Sequence, residues 1–248
     1  MNYLLAVDSG NTRIKWGLHD GHSWVHHGVV HQGETEQLGR AWQDLPEPMR
    51  IIVSNVGGDG ARSGLSDLFA HWGVQPQWAV ASAYQCGVRN YYADPTQLGS
   101  DRWASLIAAW RIQRQGCIVV SAGTAMTVDA LSDTGEFLGG IIVPGLQLMQ
   151  NALIRGTASL RTEGGGFCDY PDSTNDAICS GGIHALAGAV ERMSVILTET
   201  LGHIPECIMS GGAASILLDR LNIPARMVDN LVLEGLMAMD EDAAGAML

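Results

Sequence analysis

A chain of 248 residues, 46% hydrophobic and 16% charged, can bury one large core or two ordinary ones, which excludes a disordered chain. Its formal net charge of −12 excludes a general affinity for nucleic acid or an anionic membrane, since both need a basic face. The five cysteines, Cys86, Cys117, Cys168, Cys179 and Cys207, are scattered and form no C-x-x-C pair, so reduced thiols in a cytoplasmic protein are expected rather than a disulfide framework or a zinc site.

Met1-Asn2-Tyr3 carries no basic segment, so no secretory leader is expected, and the apolar runs break well short of a membrane span. Tyr3 to Val7 reads as a buried strand closed by Asp8-Ser9-Gly10-Asn11. Thr12, Ile14, Trp16 and Leu18 then alternate with Arg13, Lys15 and Gly17, so the two segments predict a hairpin. Residues 34–45 and 62–72 read as helices, with a strand over 50–56 between them. Five histidines, His19, His22, His26, His27 and His31, crowd this first region and are expected to be exposed. Trp103, Leu106, Ile107 and Trp110 fall on one helical face, with Gly99-Ser100 as the N-cap region and Gly116 as the stop. A strand at 117–120 leads into Ser121-Ala122-Gly123-Thr124 and an alternating segment. Helices are predicted over 145–155 and 176–201, a loop at 164–166, and strand, glycine turn and helix start over 207–215.

The segments "LLAVDSGNT" and "CIVVSAGTA" share a plan: apolar strand, polar residue, small residue, glycine, then a threonine nearby. Asp8 and Gly10 correspond to Ser121 and Gly123. A half-length repeat of this kind predicts a duplicated α/β fold with two similar lobes, 1–115 and 116–248.

The chain holds no G-x-x-x-x-G-K-[ST] and no G-x-G-x-x-G, so neither a P-loop nor a simple dinucleotide fingerprint is expected. Two hairpin turns could still hold a nucleotide. Gly10 and Gly123 would let backbone N–H groups approach phosphate oxygens, Thr12 and Thr124 would add hydroxyls, and Asp8 could hold Mg²⁺. Lys15 is the only lysine against thirteen arginines, and beside Arg13 it would offer phosphate a compact point charge. Asp101 and Arg102 open the helix after Gly99. Asp101 either favours the helix N-terminus through its dipole or accepts a proton from a substrate hydroxyl, with Arg102 binding an anionic substrate.

The motifs "DSGNTRIKWG", "YADPTQLGSDRW", "SAGTAMTVD", "GGIIVPGL" and "MSGGAA", in this order, resemble the type III pantothenate kinase family. The resemblance runs from Asp8 to Gly212. It implies an α/β fold of two ribonuclease-H-like (actin-like ATPase) lobes with a nucleotide cleft between them. It further implies ATP-dependent phosphorylation of pantothenate to 4′-phosphopantothenate, the first step towards coenzyme A, by a homodimer. Carried over by residue, Asp8, Ser9, Gly10, Asn11, Thr12, Arg13, Ile14 and Lys15 form the first ATP motif and Thr124 contacts ATP from the second. Tyr92, Gly99, Ser100, Asp101, Arg102 and Thr174 bind pantothenate, with Asp101 as proton acceptor, and residues 210–214 form the adenosine-side turn. The family has Asp where this chain has Ser121, and that Asp binds a monovalent cation such as K⁺ or NH₄⁺, so the neutral serine weakens the expected site. The rival readings are a non-catalytic transcriptional accessory factor, which the acidic charge disfavours, and a sugar or acetate kinase of the same superfamily.

Overall fold

The computed structural model describes residues 2–157 and 164–245, in two units built on one plan. The first unit runs to Ile112 and takes up the chain again from Leu231, while the second holds Gln113–Asn230.

In the first unit the elements are β1 (Leu4–Ser9), β2 (Arg13–His19), β3 (Trp24–His31), α1 (Thr35–Trp42), β4 (Arg50–Asn55), α2 (Asp59–Phe69), β5 (Gln77–Trp78), β6 (Tyr84–Gln85), β7 (Val88–Asn90) and α3 (Ser100–Gln113). Leu4 to Val7 has no polar break, so β1 is buried on both faces and lies in the middle of a sheet ordered β3-β2-β1-β4-β5. β2 is antiparallel to β1 and β3, whereas β4 is parallel to β1 and β5. Leu5, Val7, Ile51 and Val53 pack on one face with Leu38 and Trp42 of α1 and Leu65 and Phe69 of α2.

The second unit holds β8 (Cys117–Ala122), β9 (Ala125–Leu131), β10 (Glu136–Pro144), α4 (Leu146–Gly156), α5 (Thr174–Leu201), β11 (Glu206–Ser210), α6 (Ala214–Leu218) and β12 (Ala225–Met227). Its strands run β10-β9-β8-β11-β12, again with an antiparallel β8-β9-β10 meander followed by parallel β11 and β12. The echo read in the sequence is therefore a repeat of topology, the ribonuclease-H-like plan used twice. The burial patterns agree residue by residue: β1 matches β8, and β2 matches β9. α5 is capped by Ser173, whose Oγ accepts from the Asp176 amide at 3.1 Å, and is closed by a left-handed Gly202.

The expected division after residue 115 needs correction at its far end. The last helix, α7 (Leu231–Gly245), belongs to the first unit, where it packs on β1 and β4. Arg50–Asp240 at 2.9 Å, Arg111–Glu241 at 2.6 Å and Trp24 Nε1 donating to Glu234 at 2.7 Å tie it there. The physical reason is that β1 and β4 bury both faces, and α1 and α2 cover only one. Two smaller corrections follow. His19 is buried, edge-on to Trp24 at 4.9 Å, while His22, His26, His27 and His31 are exposed as expected. α3 ends at Gln113, beyond which Arg114 takes a left-handed turn (φ 51°), whereas the Gly116 amide donates to Asp133. The five cysteines carry free thiols. Among the described residues, no helix is long and apolar enough to cross a membrane.

Candidate active site

In the first unit the chemistry collects at the far end of β1. Asp8 stands in register with Lys15 on β2 and Ser54 on β4, so the three side chains share one face of the sheet. Ser54 Oγ lies 2.9 Å from Ser100 Oγ, which brings the first turn of α3, and with it Asp101, to the same face. Two carboxylates from distant parts of the sequence thus become electrostatic neighbours. Burial, and then the charge of Asp101, push the Asp8 carboxyl up to about 7, although Lys15 pulls it down. Burial also raises Asp101 above its ordinary value, opposed by the Arg102 backbone N–H, which donates to its Oδ1 at 2.8 Å, and by the Arg102 guanidinium.

Gly99 leaves room for this carboxylate: a Cβ there would stand 2.6 Å from Asp101 Oδ1 and would push it aside. Its carbonyl accepts from the Trp103 amide at 2.9 Å, which starts the helix. Apart from Asp101, the residues of α3 from Ser100 to Trp110 are buried, so the predicted stripe widens into a helix enclosed on nearly all sides. Arg102 is 7% exposed and donates to the Tyr92 hydroxyl at 3.4 Å, joining two predicted substrate residues.

The turn from Ser9 to Thr12 is held from outside. The Ser9 carbonyl accepts from Val56 and Gly57, the Thr12 carbonyl accepts from the Gln32 amide at 2.9 Å, and Gln32 Nε2 donates to Ser9 Oγ at 3.3 Å. Ser9 and Ile14 are fully buried, so of the predicted ATP motif they shape the turn while Asn11, Thr12 and Arg13 present exposed side chains. The Gly10 amide donates to Arg13 at 3.0 Å, and the Gly123 amide to Ala125 at 3.1 Å. These two amides are engaged inside their own hairpins. The part left to these glycines is the one read from the sequence, an approach that no Cβ blocks.

Sequence reasoning missed a cavity of about 250 Å³ that adjoins this cluster within the first unit. It is walled by the end of β4 at Asn55, the segment 78–81, the segment 96–100 and Arg62 of α2. The Arg62 guanidinium lies over the Trp78 ring, 4.4 Å from its centroid. No residue spacing announces this cavity, because its walls come from four separated segments.

In the second unit Ser121 occupies the place of Asp8, with Thr127 and Ser210 in register beside it, so hydroxyls surround the position. The Ala122 carbonyl accepts from Ala213 at 3.1 Å and the Thr124 carbonyl from Gly145 at 2.8 Å, which draws the turns at Gly211 and Gly145 onto the turn at Gly123. Gly211 has a φ of 107°, and a Cβ there would stand 2.5 Å from the Ala122 carbonyl oxygen, so only glycine fits. Thr174 is exposed in the first turn of α5. No group of three or more metal-ligating side chains occurs among the described residues.

Comparison with known proteins places the chain in a family. The chain is 62% identical over 241 residues to a type III pantothenate kinase of Nitrosospira multiformis, covering 97% of this chain and 92% of the relative. It is 50% identical to one of Nitrosomonas eutropha, covering 95% and 93%. Among solved structures, a Baf family protein from Campylobacter jejuni matches with a TM-score of 0.61 at 18% identity, covering 97% of this chain and 99% of that one. MreB5 of Spiroplasma citri, bound to ADP, matches with a TM-score of 0.56 at 10% identity, covering 100% and 98%. These two carry the fold alone. With the type III pantothenate kinase sequence model matching residues 4–195, the chain belongs to the type III pantothenate kinase family.

Proposed function

We propose that this chain transfers the γ-phosphoryl group of ATP to the primary alcohol of pantothenate, with Asp101 as proton acceptor and Asp8 as the carboxylate that serves the ATP-bound metal. The observation that carries this reading is the pairing of Asp8 and Asp101 on one face, next to a cavity walled by Gly99 and Ser100. The alcohol oxygen attacks the γ-phosphorus, the bond from that phosphorus to the β–γ bridging oxygen breaks, ADP leaves, and the alcohol proton passes to Asp101. A carboxyl raised by burial is a better proton acceptor near neutral pH than an ordinary aspartate. Catalysis otherwise rests on position and charge: the turn clamped by Gln32 holds the phosphates, and Lys15 offers them its ammonium.

The carboxylates of Asp8 and Asp101 offer hard oxygens whose charge outweighs the single Lys15 ammonium, which suits Mg²⁺, and Asp8 would hold that ion directly or through water. When bound, the ion supplies charge neutralisation at the triphosphate. A monovalent cation fits less well, because Ser121, Thr127 and Ser210 offer only neutral hydroxyls. Tyr92, Arg102 and Thr174 complete the pantothenate contacts, Thr124 contacts ATP, and the family resemblance extends the proposal to a cytoplasmic homodimer. The test is ADP release by the purified protein with ATP and Mg²⁺. Release that depends on pantothenate supports the reading. Release that depends on a sugar or acetate instead would overturn it.

A further inference from the structure

The cavity beside Asp101 has an uneven lining. Asn55, Thr96, Gln97 and Ser100 are polar but neutral, the rest is apolar or backbone, and Arg62 is the one charged residue. That a single positive charge lines this space, in a chain of net charge −12, points to an anionic occupant. Arg62 is exposed, and no carboxylate among the described residues pairs with it. Its guanidinium packs on Trp78, which holds the group in place and leaves edge N–H groups for a planar anion. Arg102, which also belongs to the proposed substrate contacts, is buried, donates to Tyr92 and does not line this cavity.

Pantothenate has its reacting alcohol, next to a dimethyl carbon, at one end and its only charge, a carboxylate, at the other. Gly99 and Ser100 wall the cavity next to Asp101, so the alcohol belongs at that side. Val56, Ala79, Ala81 and Leu98 give the lining an apolar part for the dimethyl carbon. Resting on the function proposed above, we propose that Arg62 binds the carboxylate of the substrate and so sets the preference of this enzyme for an anionic tail. Arg62 is then a specificity-determining residue on α2, an element that no motif marks.

The experiment compares pantothenate with a neutral N-alkyl pantothenamide, which keeps the alcohol and the dimethyl carbon but replaces the carboxylate by an amide. Wild type, Arg62→Ala and Arg62→Gln are assayed with both substrates at saturating ATP. A charge-assisted contact of this kind predicts a rise of about 10- to 100-fold in KM for pantothenate, with kcat within about threefold. KM for the pantothenamide should stay within about threefold, so the preference for pantothenate collapses. Because Arg62 is exposed, both variants should fold, and Arg62→Gln keeps most of the side-chain stem over Trp78. An unchanged pantothenate KM would overturn the proposal, and so would an equal loss on both substrates, which would indicate damage to the cavity rather than loss of a charge. A wild-type protein that turns over neither substrate would overturn the functional reading itself.

Discussion

Asp8→Asn separates what the fold tolerates from what the chemistry needs. Asp8 is pushed from 3.8 to about 7, chiefly by burial and then by Asp101. A group whose folded pKa is raised binds more protons in the folded than in the unfolded state across that interval. Stability therefore falls as pH rises from about 4 to about 7, and the loss is complete above it. A shift of three units corresponds to about 4 kcal/mol. The Asp8 side chain remains partly open to solvent, so about 1–3 kcal/mol is the better expectation. Asn cannot ionise and escapes the penalty. In chelator, without nucleotide, Asp8→Asn should melt about 2–12 °C above wild type at pH 8. The difference should shrink towards zero near pH 4, while phosphoryl transfer is lost at every pH. Thermal melts followed by circular dichroism from pH 4 to 8.5 read this directly. A variant that melts below wild type at pH 8, or a difference independent of pH, would refute the electrostatic argument and make Asp8 an ordinary turn residue.

Asp101→Asn should lower turnover by about 10²- to 10⁴-fold with ATP binding intact, read by single-turnover kinetics and nucleotide titration; turnover within about threefold of wild type would return Asp101 to a helix-terminus role. Lys15→Arg keeps the charge but replaces a compact ammonium with a planar fork beside Asp8, so KM for ATP should rise or kcat fall with an unchanged melting temperature. Ser121→Asp should make the rate depend on KCl, at ionic strength held with a bulky organic cation, whereas wild type should respond little; a saturable K⁺ requirement in wild type would show that the hydroxyls around Ser121 suffice.

The parts of the fold legible in the sequence are those whose signal is local. The β1–β2 hairpin follows from unbroken apolar residues before a polar turn and alternation after it, and α5 follows from a long run closed by Gly202. The β6–β7 hairpin was not legible because its turn is Cys86-Gly87, with Cys86 at φ 52°, where an Asn or Asp before the glycine would have announced it. The place of α7 was not legible either, since an apolar helix face does not state which sheet it covers. The site divides in the same way. Asp8 and Asp101 stood out because each sits at a strand end or helix start, but their adjacency depends on the register of β4 and on Ser54 meeting Ser100. Gln32 and Arg62 carry no motif, since one acts through a turn it only touches and the other through a cavity built from four segments.

The duplicated hairpins bring fold and chemistry together. β1–β2 and β8–β9 bury the same positions, and the first strand of each carries a polar residue at its fifth position, just before a glycine turn. Burial of this kind fixes where a side chain stands but leaves its charge open, because the end of each first strand is only partly enclosed. One copy then carries Asp8 with Lys15 opposite, and the other carries Ser121 with Thr127 opposite. The first pair brings a carboxylate and an ammonium, suited to a metal and to phosphate. The second brings two hydroxyls, which can donate to or accept from a ligand but add no charge. With ATP held as proposed above, a second carboxylate at position 121 would add negative charge next to the triphosphate unless a cation came with it. The serine removes that repulsion and lowers the need for the cation together, so the asymmetry between two nearly identical scaffolds is electrostatically consistent.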